Sequence, residues 1–226
     1  MATTPSKLAQ SLTALKELQD AGVVAIRSGQ LTRTDRERLL RNGFIREVMK
    51  GWYVAAAPDE AVGESTAWYA SFWGFVAGYL SHRFGQDWCL SPEQSLRLQV
   101  GDWTVPAQLL IRSPRGGNKP TPLLHGTSLF DARLALPPAG DLEIKDGLRL
   151  WRLPAALIAC APGQFASQPT VARSALAMLT DASELLGRLL AGSHSVVAGR
   201  LAGALRNIGR DVIADDVVKT MRAADF

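Results

Sequence analysis

The chain has 226 residues, 47% of them hydrophobic and 20% charged, with 25 Lys+Arg against 21 Asp+Glu and a pI near 9.3. That is enough for one large domain or two modest ones, and the composition excludes disordered, collagen-like and disulfide-scaffold classes. The two cysteines, Cys89 and Cys160, lie far apart without metal spacing. With no secretory signal read at the start, they are expected as reduced thiols in a cytoplasmic protein.

Leu8, Leu12, Leu15 and Leu18 follow helical spacing, and Gly22 is expected to end that first helix. Val23-Val24-Ala25-Ile26 is a short apolar run, a strand or a buried turn edge, and Gly29 marks a turn. A short basic helix is expected next. Thr32 with Asp35 and Thr34 with Glu37 are overlapping start signals, since a hydroxyl can accept from an orphan N–H and a carboxylate suits the positive helix end. Leu39 and Leu40 supply its apolar side and Gly43 its stop. Phe44–Val48 and Trp52–Val54, around Lys50-Gly51, predict a hairpin whose Ile45, Val48, Trp52 and Val54 pack back on Leu15, Leu18, Leu39 and Leu40. Helix, apolar segment, basic helix and hairpin make residues 1–57 a winged helix-turn-helix, short of one helix.

Charge points the same way. Residues 27–50 hold seven basic against three acidic residues, a net +4 that equals the charge of the whole chain. Neutralising DNA phosphates requires such a local excess. Arg27, Arg33, Arg36, Arg38, Arg41, Arg46 and Lys50 are the candidate DNA contacts. Arg33, Arg36 and Arg41 would meet a major groove, while Arg46 and Lys50 grip the neighbouring backbone.

Ala55–Gly63 reads as a connector. The stretch from Ser65 to Leu80 places Trp68, Phe72, Phe75 and Tyr79 at helical spacing, as in a core helix. It is too short and too interrupted to span a bilayer. From Trp88 the pattern suggests strands, with alternation over Leu96–Val100 and again over Trp103–Ile111 past Pro106. Ser113–Pro122 is expected as a mobile surface loop, whose Arg112, Arg115 and Lys119 offer a secondary contact for nucleic acid or a partner. Leu142–Ile144 and Leu148–Trp151 around Asp146-Gly147 predict a hairpin. Past Pro154, segments near 155–160, 171–180, 182–190, 196–208 and 215–223 read as helices. The fold class expected is α+β: a winged helix at 1–57, then a domain at 58–226 with strands mainly over 88–151 and a helical bundle over 154–226.

Catalytic chemistry is hard to assemble. His82, His125 and His194 are scattered without a second ligand at helical spacing, so no metal site is expected. No serine has a nucleophile-elbow pattern. Asp141, Glu143 and Lys145 would share one face of a strand, as in metal-dependent nucleases of the PD-(D/E)xK type, with Asp131 or Asp102 as weak partners. On a half-exposed strand, alternating charge is also the ordinary outward face. The reading is of a non-enzyme without cofactors.

The residues from Leu31 to Tyr53, "LT…LLRNGFIREVMKGWY", resemble the AbiEi-type antitoxin family. The middle, GESTAWYASFWGFVAGYLSHRFGQDWCLSPEQSL with VPAQLLIRSP and LLHGTSLF, looks like the branch of such proteins found alongside Fic toxins. The resemblance implies a transcriptional repressor of a bacterial abortive-infection toxin-antitoxin operon. Its partners would be double-stranded DNA at its own promoter and a cognate toxin of Fic type, with no membrane. The alternative is a protein-interaction module that does not bind DNA, with Trp52 and Tyr53 on the wing meeting the partner.

Overall fold

The computed structural model describes residues 4–59 and 63–225. In chain order the elements are α1 (Thr4–Asp20), β1 (Ile26–Arg27), α2 (Arg33–Arg41), β2 (Ile45–Met49), β3 (Trp52–Ala55), α3 (Thr66–Phe84), β4 (Cys89–Leu90), α4 (Pro92–Gln99), β5 (Gln108–Ser113), β6 (Pro120–Pro122), β7 (Ser128–Arg133), β8 (Leu142–Lys145), β9 (Leu148–Trp151), α5 (Leu153–Ala159), α6 (Gln164–Ser167), α7 (Pro169–Ala177), α8 (Ser183–Ala191), α9 (Ser195–Asn207) and α10 (Asp211–Ala223). The fold is α+β with a helical C-terminal part. It divides into two compact units. One holds Met1–Trp88, Val105–Leu136 and Ile144–Leu148; the other holds Cys89–Thr104, Pro137–Glu143 and Arg149–Phe226. The division does not fall at residue 57, where the sequence suggested a boundary, because β3 and α3 share a core.

The first unit opens with the winged-helix frame. β1, β3 and β2 form an antiparallel sheet in that order, with Ile26 opposite Tyr53 and Arg46 opposite Val54. Leu15, Ile26, Leu31, Leu39, Ile45 and Tyr53 make its core, with Leu12, Leu18 and Phe44 packed around them. The helix missing from the sequence pattern is reduced to a single 3₁₀ turn, Ser28–Gln30, closed where Arg27 N donates to Gln30 Oε1 at 2.8 Å. Thr32 caps α2 as expected, accepting from Asp35 N at 3.1 Å. Gly43, at φ +75°, ends the helix turn in the left-handed region that favours glycine. Two packing expectations fail. Leu40 points outward at 36% exposed, and Trp52 leaves the wing core to meet α3 edge-on, 6.3 Å from Phe75 and 5.1 Å from Tyr79.

The aromatic stripe of α3 is core: Trp68, Phe72, Phe75 and Tyr79 are all buried. The glycines that interrupt it let the helix lie on the apolar run after α1. A Cβ on Gly78 would stand 2.9 Å from Ala25 Cβ, and one on Gly74 would stand 2.8 Å from Val24 Cγ2. Beside α3, β5 and β7 run parallel with Leu110 opposite Phe130, and β6 closes the outer edge antiparallel to β7. The connection from β5 to β6 therefore passes over β7.

That connection corrects the expected mobile loop. Gly116 rests on the β7 backbone, where a Cβ would be 2.7 Å from Asp131 O. Asn118 N donates to Asp131 O at 3.0 Å, and Gly117 N donates to Asp131 Oδ2 at 3.0 Å. Backbone pairing of this kind fixes a segment whose composition alone reads as coil.

In the second unit the expected strand over Leu96–Val100 is a helix, α4. Ser91 Oγ accepts from Gln94 N at 3.1 Å, Pro92 occupies the first turn and Glu93 lies at its positive end, and these capping signals outweigh a two-residue alternation. The strand expected over Trp103–Ile111 forms only from Gln108, beyond Pro106, and belongs to the first unit as β5. Trp151 is fixed by Nε1 donating to Leu90 O at 3.0 Å and by Ser95 Oγ accepting from its N at 3.1 Å. The C-terminal helices pack through Leu185, Leu189, Leu201 and Leu205, all fully buried. Both cysteines are buried and outside any disulfide, and burial pushes the Cys160 thiol up to about 11.

Candidate nucleic-acid interface

The winged helix sorts its basic residues by what they touch. Arg33, Glu37 and Arg41 lie at successive steps of four along α2, which puts them on one exposed stripe. Arg33 Nε meets Glu37 Oε1 at 2.7 Å, with side chains 84% and 51% exposed. That contact holds the Glu37 carboxyl below its ordinary range. An ion pair this open is weak and opens readily for a competing phosphate. Arg41 is exposed one turn further on, Lys50 is exposed in the wing turn, and Arg27 is exposed on β1.

Two expected contacts are instead internal. Arg36 Nη1 donates to Ser28 O at 2.8 Å, and its guanidinium lies 6.0 Å from the Tyr53 ring centroid. It therefore clamps the 3₁₀ turn that replaces a helix. Arg38 turns toward α1, where Nη1 donates to Lys7 O at 2.9 Å and to Ser11 Oγ at 2.6 Å. Asp35 completes this tether, accepting from Ser11 Oγ at 2.7 Å and from Thr32 Oγ1 at 2.5 Å. Those hydrogen bonds, Thr32 first and Ser11 second, lower the Asp35 pKa. The contact set that faces outward is Arg27, Arg33, Arg41 and Lys50.

Arg46, on β2, reaches His125, with Nη1 and Nε2 3.5 Å apart. Nothing in the spacing of the sequence joins these two, 79 positions apart. Of the secondary basic set, Arg115 is tied to Phe84 O and to Asp87 at 3.4 Å, Arg112 is half-buried on β5, and Lys119 is exposed. The partner-facing role expected for Trp52 and Tyr53 does not fit their positions. Tyr53 is buried in the sheet, and Trp52 is packed on Phe75, Tyr79 and His82.

The acidic residues considered for nuclease chemistry are each committed elsewhere. Asp131 is buried and pairs with Arg83 at 2.7 Å, Asp102 pairs with Arg97 at 2.8 Å, Glu143 accepts from Gln99 Nε2, and Asp141 pairs with Arg188 at 2.8 Å. Among the described residues, no group of three His, Cys, Asp or Glu side chains is placed to hold a metal ion. No helix among them is long and apolar enough to cross a membrane.

No family model matches the chain, and no curated protein matches it. Among solved structures, the crystal structure of the RV2827C protein from Mycobacterium tuberculosis is similar, with a TM-score of 0.56 over 95% of this chain and 81% of that one. At 16% identity the two share a fold.

Proposed function

We propose that this chain is a DNA-binding transcriptional repressor of antitoxin type, without enzymatic activity, acting in the cytoplasm on its own promoter. The observation that carries the reading is the exposed stripe of Arg33, Glu37 and Arg41 on α2, in a unit whose wing turn carries an exposed Lys50. In a winged helix this is the helix that enters a major groove, with the hairpin beside it on the phosphate backbone. Arg33 and Arg41 then contact bases or phosphates, and Arg27 and Lys50 contact phosphates. The resemblance of Leu31–Tyr53 and of the middle of the chain to AbiEi-type antitoxins supplies the biological role. The remainder of the chain would counter a cognate toxin of Fic type.

Fluorescence anisotropy with a duplex carrying the region upstream of its own gene tests the DNA half. Tight binding that weakens steeply with salt, and fails when Arg33 and Arg41 are both changed to Ala, is expected. Salt-independent or absent binding would end the repressor reading. Co-expression with the product of the adjacent gene tests the other half, the expected result being relief of growth arrest.

A further inference from the structure

In the second unit, α7 and α9 border a groove of about 280 Å³. Ala172, Arg173 and Leu176 line it from α7, and Gly203, Ala204 and Asn207 line it from α9. Both sets fall at helical steps of three and four, so each helix gives one face to the groove. The small side chains at Ala172, Gly203 and Ala204 leave the space unfilled. A Cβ built on Gly203 would meet nothing within 4 Å. The volume lies just under the roughly 300–1,000 Å³ of sites for drug-sized ligands, and suits a single ring or a short alkyl chain.

Two cations belong to this groove. Arg173 Nη2 donates to Asn207 Oδ1 at 3.4 Å. Arg200 stands one turn before Gly203 and Ala204 on the same face of α9, with its guanidinium 5.4 Å from the centroid of the Phe165 ring, which also lines the groove. Arg200 Nη2 reaches Cys160 O only at 3.5 Å, and its Nε, shielded from solvent, has no hydrogen-bond partner among the described residues. Two other arginines of these helices meet carboxylates: Arg188 pairs with Asp141 and Glu184, and Arg206 pairs with Asp215. Arg173 and Arg200 reach only neutral oxygens, at the long end of hydrogen bonding. Glu93, whose carboxylate comes near Cys160, accepts instead from Ala161 N at 3.0 Å. A guanidinium N–H kept from water without an acceptor is costly, and a carboxylate relieves that cost through a charge-assisted bond.

We propose that this groove binds a small carboxylic acid. Its carboxylate sits on Arg200, and its single-ring or short-chain apolar body lies over Gly203 and Ala204 against Phe165 and Leu176. Arg173 and Asn207 bound the other end. The site stands apart from the DNA-binding reading, because every residue it uses belongs to the second unit.

Heteronuclear NMR of the full chain, titrated with benzoate, hexanoate and the uncharged benzamide, tests the site. Both acids are expected to give saturable shifts on α7 and α9, and benzamide to bind about ten-fold more weakly than benzoate. Arg200→Met keeps an unbranched side chain over Phe165 and removes the charge, while Gly203→Leu fills the groove from a position with open space around it. Each variant should weaken benzoate binding by about ten-fold or more while the melting temperature holds. Should Arg200→Met fail to fold, Gly203→Leu and the benzamide comparison decide the matter by themselves. The site is overturned by any of three results: no saturable shift with either acid, equal binding of benzamide and benzoate, or unchanged benzoate binding in the folded variants.

Discussion

Arg38 of α2 and Ser11 of α1 are joined by a 2.6 Å hydrogen bond, in which the guanidinium donates to a hydroxyl that is fully buried. The same hydroxyl donates to Asp35, so one small side chain sets how the basic helix leans on its neighbour. Ser11→Ala is expected to lower unfolding free energy by about 1–2 kcal/mol, the cost of leaving two polar partners incompletely satisfied. Urea denaturation reads this directly, and an unshifted midpoint would show that the tether is not structural.

The exposed stripe and the internal clamp separate binding from folding. Arg33→Ala and Arg41→Ala should each reduce the slope of log affinity against log salt by about 0.9, with little change in melting temperature. Arg36→Ala should do the reverse, lowering the melting temperature first, because Ser28 O and the Tyr53 face lose their cation. Glu37→Gln should raise affinity, since it releases Arg33 and removes a negative charge from the exposed stripe of the proposed interface. Equal behaviour of the Arg33 and Arg36 variants in both assays would contradict the division.

Gly116→Ala places a methyl group within 2.7 Å of the β7 backbone at Asp131 and Ala132, where no flexible side chain can give way. A loss of roughly 1–3 kcal/mol is expected from the strain, or failure to accumulate as folded protein. Gly140, with nothing within 4 Å of its added Cβ, is the matched control and should tolerate Ala.

Acid titration should find a carboxylate in each unit. Hydrogen bonds from Arg97 first and Thr104 second hold Asp102 at about 2 against an ordinary 3.8, and Asp35 is depressed in the same direction. A depressed folded pKa gives stability that is complete above the unfolded value and lost as pH falls through the folded one. The loss therefore lies below about pH 4, and for Asp102 it continues to about pH 2. Asp102→Asn should flatten the unfolding midpoint across that window, and an unchanged acid limb would place the linkage elsewhere.

Much of the first 57 residues was legible because its signals are local: the Thr32 cap, the stop at Gly43 and the Lys50-Gly51 turn each act within one helical turn or hairpin. The C-terminal helices were legible for the same reason, their leucines repeating with the helix period. What escaped was non-local or ambiguous. Leu96–Val100 alternates like a strand, and only Ser91-Pro92-Glu93 upstream announces a helix. The parallel pairing of β5 with β7 skips a strand, which no spacing encodes. At the site, a count of arginines could not tell Arg38, turned toward α1, from Arg41 one turn later, nor bring His125 to Arg46.

The edge-on seat of Trp52 among Phe75, Tyr79 and His82 has a practical corollary for anyone dissecting this chain. Cutting after the wing would strip an indole of its cover and uncap the aromatic column of α3 in the same stroke, leaving sticky surfaces on both fragments. The smallest fragment worth testing for DNA binding should therefore carry α3 with it.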